Sequence, residues 1–258
     1  MLKKRYVLKL GYDGTDFNGW QIQPRGRTVQ EEIETALSVI AKQKIPVLGS
    51  GRTDSGVHAF NQYAHFDFPI NMTAEQIKAA LQNKLSKEIK IKKVFETDSE
   101  FNARFSATQR HYKYFIVNDW TPFNKYYSSW FPRKKIDCEL ICSYLDYFVG
   151  EHDFAGFSKP NPELTHTRCL ITRISFDKTE EGFLFQIKAN RFLHNMVRRI
   201  VGCLITLSDK KYSPEIVPEL LKRKQSDQKL VPSAPPNGLF LWEVLYPDYP
   251  ELNVVIYE

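Results

Sequence analysis

The sequence predicts an α+β fold made of two halves with the same plan, each an antiparallel sheet with helices packed on one face. Segments with the two-residue alternation of strands and segments with the 3.6-residue period of helices follow one another in the order β-α-β-β-α-β. The second half of the chain repeats this order, which is typical of a ferredoxin-like unit. We therefore predict two domains, residues 1–107 and 108–258, joined in a mixed and mainly antiparallel sheet.

The first half opens with the strand "KRYVLKLGYDG" and continues with a helix that is capped at Thr28 and has apolar residues along one side. Two strands are predicted next, at residues 45–50 and 59–68. A second helix begins at Thr73, and the strand "IKIKKVFET" completes the half. Each element has the length and the apolar pattern of its class.

The second half contains the same elements with longer connections. In order they are the strand "RHYKYFIVN", the helix "DCELICSYLDYFVG", the hairpin strands "RCLITRISFD" and "GFLFQIKANR", the helix "FLHNMVRRIVGCLITLS" and the strand "GLFLWEVLY". Insertions at 119–136, 151–167 and 210–237 are rich in Pro, Asn, Ser and Lys and are predicted to be surface loops. A sheet face without helices is a common platform for RNA, but the fold alone leaves open that both faces are packed.

Composition and charge narrow the class of protein. Of the 258 residues 42% are hydrophobic, and no apolar run approaches the roughly 18 residues that a membrane span needs. The start of the chain has no signal-peptide pattern, so we predict a cytoplasmic protein without membrane association. The net charge of +6 favours a polyanionic partner. The four cysteines have no metal-binding spacing and are predicted to be reduced thiols.

The segment "LGSGRTDSGVHAF" places one carboxylate, Asp54, among three glycines. A phosphate-binding loop is excluded, because no Lys followed by Ser or Thr comes after Gly56 and no helix begins there. A calcium loop is excluded as well, since no Glu closes a twelve-residue span. The residues leave two interpretations open, a hairpin turn stiffened by Asp-Ser-Gly or a chemically active carboxylate.

Five segments decide between these interpretations by resemblance: "GYDGTDFNGWQ", "SGRTDSGVHA", "RHYKYFI", "RFLHNMVRRIVG" and "GLFLWEVLYP". In this order they resemble the tRNA pseudouridine synthase A family over nearly the whole chain. The resemblance implies a homodimer that works without a cofactor or a metal. It also implies a central RNA-binding cleft and isomerisation of uridine to pseudouridine in the anticodon stem-loop of tRNA, at positions 38–40 of the tRNA.

The resemblance also implies roles for five residues. Asp54 is the catalytic carboxylate, and Arg198 is the arginine that pairs with it and keeps it ionised. Tyr112 is the tyrosine of the active site, where it contacts the uracil, and Leu241 packs the wall of the substrate pocket. Arg52 helps to hold the extruded nucleotide out of the stem, because a guanidinium both stacks on bases and binds phosphate.

Taken from the residues alone, several of these positions have simpler interpretations. Arg198 also fits a solvated arginine on a helix surface, and Tyr112 fits a core tyrosine. His58, in the Asp54 segment, is predicted to orient the loop rather than to react. The step performed by Asp54 stays open between attack on C1′, attack on C6 and removal of the C2′ proton.

Two other functions compete with this hypothesis. A noncatalytic RNA-binding module on the same fold would have no need of Asp54. A small-molecule hydrolase is disfavoured because Ser55 and Gly56 follow Asp54 where a metal-assisting D-x-D pattern needs a second acid. Phosphate contacts are predicted from scattered cations, with Lys3, Lys4, Arg25, Arg27, Lys134 and Lys135 as examples.

Overall fold

The computed structural model describes residues 3–162, 164–225 and 227–253. By its internal contacts the chain separates into two compact units, one of residues 1–108 with 241–258 and one of residues 109–240. The last strand passes from the second unit back into the first, so residues 241–253 pack with the first unit. The sequence-based division into domains at residues 107 and 108 stays a prediction.

The first unit contains six elements before the chain leaves it. They are β1 (Lys4–Tyr12), α1 (Val29–Ala41), β2 (Leu48–Gly49), β3 (His58–Phe68), α2 (Ala74–Gln82) and β4 (Ile89–Thr97). Strand β1 lies between β3 and β4 and is antiparallel to both. Strand β2 pairs with the edge of β3 that faces away from β1.

Apolar residues of α1, α2 and β1 form the core of the first unit. Ile33 and Leu37 of α1, Leu81 of α2, and Leu8 and Leu10 of β1 are all fully buried. These two helices therefore cover one face of the sheet. Each helix begins after a threonine whose side chain accepts a hydrogen bond from a backbone amide of the first turn, as the sequence predicts.

The opposite face of the first unit's sheet is covered by two other segments of the chain. Tyr63 and His65 lie on this face of β3. The Tyr63 hydroxyl donates to the Leu252 carbonyl (2.5 Å), and the Ala103 amide donates to His65 Nδ1 (3.1 Å). Tyr246 donates to the Ala103 carbonyl (2.7 Å) and ties the two covering segments together. Around these residues the first sheet is packed on both faces and offers no open platform.

The second unit contains the remaining elements. They are β5 (Gln109–Val117), β6 (Ser129–Trp130), α3 (Cys138–Leu145), β7 (Gly150–Asp153), β8 (Arg168–Lys178), β9 (Gly182–Ala189), α4 (Met196–Asp209), α5 (Ile216–Leu221) and the start of β10 (Leu239–Leu245). Strands β5, β9, β8 and β7 are neighbours in that order, with antiparallel pairing throughout. Strand β6 runs parallel to β5, so the sheet is mixed.

These elements confirm the predicted α+β class and the predicted order of the main helices and strands. Several local predictions were wrong. The strand at 45–50 shortens to β2, and α4 begins at Met196 because Asn195 has a left-handed φ of 64°. The three insertions are more than loops, since they contain β6, most of β7, and α5, which buries Val217 and Leu220.

In the part of the chain that the structure describes, none of the helices combines the length and the apolar character needed to cross a bilayer.

Two buried histidines predict a loss of stability in acid. The pKa of His65 is lowered to about 4, mainly by burial. The pKa of His111 is also lowered to about 4, by burial and by the positive charge of nearby lysines. In the unfolded chain both rings titrate near their ordinary value of about 6.5. The unfolded state therefore binds more protons between these values, and the free energy of unfolding should fall as the pH falls from about 6.5 towards 4.

Urea unfolding at pH 7, 6 and 5 measures this loss of stability. Proton NMR titration of the folded protein measures the pKa of each of the two imidazole rings. Midpoints near 4 in the folded protein are expected, and midpoints near 6.5 for both rings would contradict the explanation.

Candidate active site

Asp54 opens a tight turn directly before β3. The Val57 amide donates to the Asp54 carbonyl (3.1 Å) and closes a four-residue turn. Gly56, the third residue of the turn, has a φ of 75°, which a type II turn requires at that position. The side chain of Asp54 is half-buried. The predicted turn is therefore present, and it holds the carboxylate at its first residue.

The backbone of the preceding loop holds this turn on one side. The Trp20 amide donates to the Thr53 carbonyl (3.1 Å), and the Gly56 amide donates to the Phe17 carbonyl (3.2 Å). These two hydrogen bonds lie on either side of Asp54 in the sequence. The segment 11–20 thus fixes the backbone both before and after the carboxylate.

Two glycines allow the loops to approach so closely. A Cβ on Gly14 would lie 2.1 Å from the Val57 carbonyl oxygen, and a Cβ on Gly19 would lie 2.5 Å from the Thr53 carbonyl oxygen. Gly19 also has a φ of 90°, which residues with a side chain rarely adopt. Gly14 and Gly19 of "GYDGTDFNGWQ" are therefore needed because they lie against the Asp54 turn.

Side chains from the sheet hold the other side of the turn. Tyr12 and Thr53 share a buried hydrogen bond of 2.8 Å between their hydroxyl oxygens. The Gln62 side-chain amide donates to the Gly51 carbonyl (3.0 Å). Tyr12 lies at the end of β1 and Gln62 lies in β3, so the sheet itself positions the segment that carries Asp54.

His58 ties the same two loops together, in agreement with the structural role predicted for it. Its ring is 1% exposed, and its Nδ1 accepts a hydrogen bond from the Gly14 amide (3.0 Å). Asp13 Oδ1 lies 3.2 Å from the same nitrogen and accepts from the Thr15 amide and hydroxyl. One ring nitrogen of His58 thus contacts two residues of the first loop, Asp13 and Gly14.

The other two predicted residues of the first unit lie in different environments. Arg52 is exposed, two residues before Asp54. Leu241 is fully buried in the core. Arg52 is therefore accessible to solvent, whereas Leu241 contributes to the packing of the core.

Tyr112 lies in the second unit, in the middle of β5 opposite Ile187 of β9. It is 7% exposed, and its ring packs edge-on against Phe192 with 5.1 Å between the ring centroids. Phe192 belongs to the short segment between β9 and α4. Tyr112 is thus a largely buried ring whose orientation is set by a neighbouring aromatic residue.

Arg198, also in the second unit, is in the first turn of α4 and is half-buried. Its Nε donates to the Ala234 carbonyl (2.8 Å), and its Nη1 donates to Asn195 Oδ1 (3.1 Å). The Ala234 amide donates back to the Arg198 carbonyl (3.0 Å). These bonds contradict the simpler interpretation of a solvated surface arginine, because the guanidinium is held by protein acceptors.

Arg199 is a residue whose environment sequence reasoning missed. It is only 9% exposed, and burial, with a contribution from Arg198, lowers its pKa. Among the residues that the structure describes, nothing accepts a hydrogen bond from its Nε or Nη1. The sequence carried no signal for this, since Arg199 differs from Arg198 only by one step around the helix.

Three of the cations predicted to contact phosphate form ion pairs within the protein. Lys4 pairs with Glu96 (2.9 Å), Lys134 with Asp209 (2.8 Å), and Arg27 with Glu32 and Glu88. An intramolecular partner competes with a phosphate for such a cation. The other three predicted cations, Lys3, Arg25 and Lys135, are exposed.

Comparison with known proteins identifies the class of protein to which this chain belongs. The sequence profile described as tRNA pseudouridine synthase matches residues 10–106 and 145–247. Proteins named tRNA pseudouridine synthase A from Chlamydia felis and Thermosipho africanus are 40% and 41% identical to the chain. The first match covers 95% of this chain and 92% of the relative, and the second covers 94% and 100%.

A Bacillus subtilis protein of the same name is 38% identical, over 94% of this chain and 99% of its own length. The chain therefore belongs to the tRNA pseudouridine synthase family, which is a family of isomerases. The resemblance predicted from the five motifs is confirmed.

The two glycine contacts can be tested with a matched pair of substitutions. Gly14→Ala places a methyl group against the Val57 carbonyl and should lower the free energy of unfolding by about 1–3 kcal/mol. Gly51→Ala is the control, because a Cβ there meets nothing within 4 Å. Urea unfolding of both variants measures the difference, and equal losses would show that the loop contact is unimportant.

A second test concerns the effect of the buried Arg199 guanidinium on the stability of the fold. Replacing a guanidinium whose buried Nε and Nη1 meet no acceptor among the described residues by an apolar side chain of similar length removes a desolvation cost. Arg199→Met should therefore raise the free energy of unfolding of the free protein by about 1–3 kcal/mol. A clear fall in the urea midpoint would show that the guanidinium stabilises the fold.

Proposed function

We propose that this protein isomerises uridine to pseudouridine in the anticodon stem-loop of tRNA, at positions 38–40, with Asp54 as the catalytic carboxylate. The observation that carries the proposal is the turn at Asp54, which is fixed by backbone hydrogen bonds on both sides in a chain of this family. A noncatalytic module has no need of a carboxylate held in this way.

The reaction suits a carboxylate and needs no redox partner. The bond between N1 of uracil and C1′ of ribose breaks, and a bond between C5 and C1′ forms. The C5 proton leaves, N1 gains a proton, and the molecule as a whole is neither oxidised nor reduced. A carboxylate can act in such a reaction as a nucleophile at C1′ or C6, or as a base towards the C2′ proton.

Arg198 and Tyr112 complete the proposed machinery. In our proposal the guanidinium of Arg198 stabilises the ionised form of Asp54 and so keeps it reactive. Its anchoring by Ala234 and Asn195 supports this role, because a fixed cation needs no reorganisation during the reaction. Tyr112, with its ring held by Phe192, contacts the uracil and guides a proton.

The target nucleotide must leave the stem before its C1′ and C5 can be reached. We assign Arg52 to this step, because its exposed guanidinium can stack on neighbouring bases or bind the displaced phosphate. Leu241 supports the pocket wall from within the core. A homodimer in the cytoplasm, with a central cleft for RNA and no cofactor, completes the proposal.

Asp54→Asn tests the chemistry. The variant keeps the shape of the side chain, so it should bind tRNA with nearly unchanged affinity. It should release no tritium from tRNA that carries [5-³H]uridine, because release requires the new bond at C5. Asp248→Asn is the matched control, since it removes an exposed acid of the same unit, and it should release tritium at the rate of the unsubstituted protein.

Tritium release by Asp54→Asn at the control rate would rule out a catalytic carboxylate at this position. Absence of tritium release from the unsubstituted protein would favour the noncatalytic RNA-binding module instead.

A further inference from the structure

The face of the second unit's sheet that points away from Tyr112 and Tyr114 carries an unusual group of cations. Side chains alternate along a strand, so His111 and Lys113 of β5 lie on the face opposite to these two tyrosines. Residues directly opposite one another on neighbouring antiparallel strands share a face. We call this surface the cationic face and define it by His111, Lys113, Arg173 and Lys188.

The strand register aligns three of these residues in one row. His111 of β5 lies opposite Lys188 of β9, and Lys188 lies opposite Arg173 of β8. Side chains in such positions have Cβ atoms about 4.5–5.5 Å apart. Lys113 lies in the next row, opposite Gln186. Lys113, Lys188 and Arg173 therefore concentrate positive charge across three neighbouring strands, beside the His111 ring.

The regular register of the β8–β9 hairpin produces this alignment. From Arg173 to Lys178 the pairs advance by one residue on each strand, and the pair of Arg173 with Lys188 ends this regular run. A β-bulge follows, because β8 contains the extra residue Thr172 between Arg173 and Ile171, whereas β9 advances only from Lys188 to Ala189. The hairpin register thus brings the two permanent charges together.

This arrangement costs stability in the free protein. Like charges directly opposite one another in a sheet repel. The same cations affect His111, since Lys188, Lys113 and Arg173 all add to burial in lowering its pKa. Within β5, β8 and β9, Asp177 is the acid on the same face, and it lies four residues after Arg173, opposite Leu184, where it accepts from the Ser175 hydroxyl (3.0 Å). On these three strands the cations therefore outnumber the acid.

The aromatic neighbours of the cations favour a particular kind of partner. Phe115 follows Lys113 on the same face and packs edge-on against Phe240, with 5.4 Å between the ring centroids. Both rings are half-buried, so part of each is accessible. Cations beside accessible aromatic rings on a sheet are typical of RNA-binding surfaces. A second copy of this chain fits less well, because a two-fold contact would bring the same cations together.

We propose that the cationic face binds the sugar–phosphate backbone of the tRNA, at nucleotides other than the one that reacts. Phosphates would neutralise the Lys188–Arg173 row and relieve its repulsion, and Phe115 and Phe240 would contact a neighbouring ribose or base. The inference rests on the proposed function in one respect, that tRNA is the substrate.

The double variant Arg173→Gln/Lys188→Gln tests the inference. Each phosphate contact that is lost should reduce the slope of log K against log salt by about 0.7–0.9, so the slope should fall by about 1.4–1.8. The KM for tRNA should rise at least several-fold at about 0.1 M salt, with kcat unchanged at saturating tRNA. The urea midpoint should be equal or higher, because the repulsion has been removed.

The control is Lys44→Gln/Lys178→Gln, which removes two exposed lysines and changes the net charge by the same amount. Its salt slope should equal that of the unsubstituted protein. Lys113→Gln provides an independent single variant, with a slope lower by about 0.7–0.9. Should the double variant unfold, Lys113→Gln alone still decides the outcome.

Three results would overturn the inference. The first is an unchanged salt slope and KM in a folded, active double variant. The second is a change in the oligomeric state of the double variant, measured by sedimentation, which would show that the face is a contact between copies of the chain. The third is an equal effect in the control, which would show that only net charge matters. Failure of the proposed function is distinct, because it would appear as absent tritium release by the unsubstituted protein.

Discussion

The contact between two backbone segments, residues 11–20 and 50–57, is the constraint on which the candidate chemistry depends. The Thr53 carbonyl and the Gly56 amide both bond to the earlier loop, at Trp20 and Phe17. Such an approach is possible only without side chains at the contact, which Gly14 and Gly19 provide. The position of the Asp54 backbone is thus determined by steric exclusion and by hydrogen bonds, rather than by its own short turn.

The second unit holds its candidate residues by the same means. The Arg198 guanidinium is bonded to the Ala234 carbonyl, and the Ala234 amide bonds back to the same helix. Gly202 allows this segment to lie on α4, since a Cβ there would be 2.0 Å from the Pro232 carbonyl oxygen. Charged groups held by the backbone do not have to reorganise when a reaction begins, which is the main electrostatic advantage of an enzyme over water.

The two units use similar sheets in different ways. In the first unit the face without helices is covered by residues 98–107 and 246–253, which satisfy the polar groups of Tyr63 and His65. In the second unit the corresponding face carries the Lys188–Arg173 row and two accessible aromatic rings. Similar sheets thus have a packed face in the first unit and a charged face in the second unit, because the side chains on each face differ.

The sequence by itself determined the α+β class, the order of the main helices and strands, the capped starts of α1 and α2, and the family. These depend on local periodicity, on caps and on motifs whose residues lie close together in the chain. The turn at Asp54 was also predictable, since its glycines and its short polar residues are contiguous.

Only the tertiary structure decided which residues fix that turn, how α5 packs within the insertion 210–237, and that Arg199 is buried. It also decided the strand register that places Arg173 opposite Lys188. Each of these depends on the pairing of segments that are distant in the sequence. Strand register depends on which segments pair and on the turns that join them, and a shift of one residue would move every side chain of a strand to the other face.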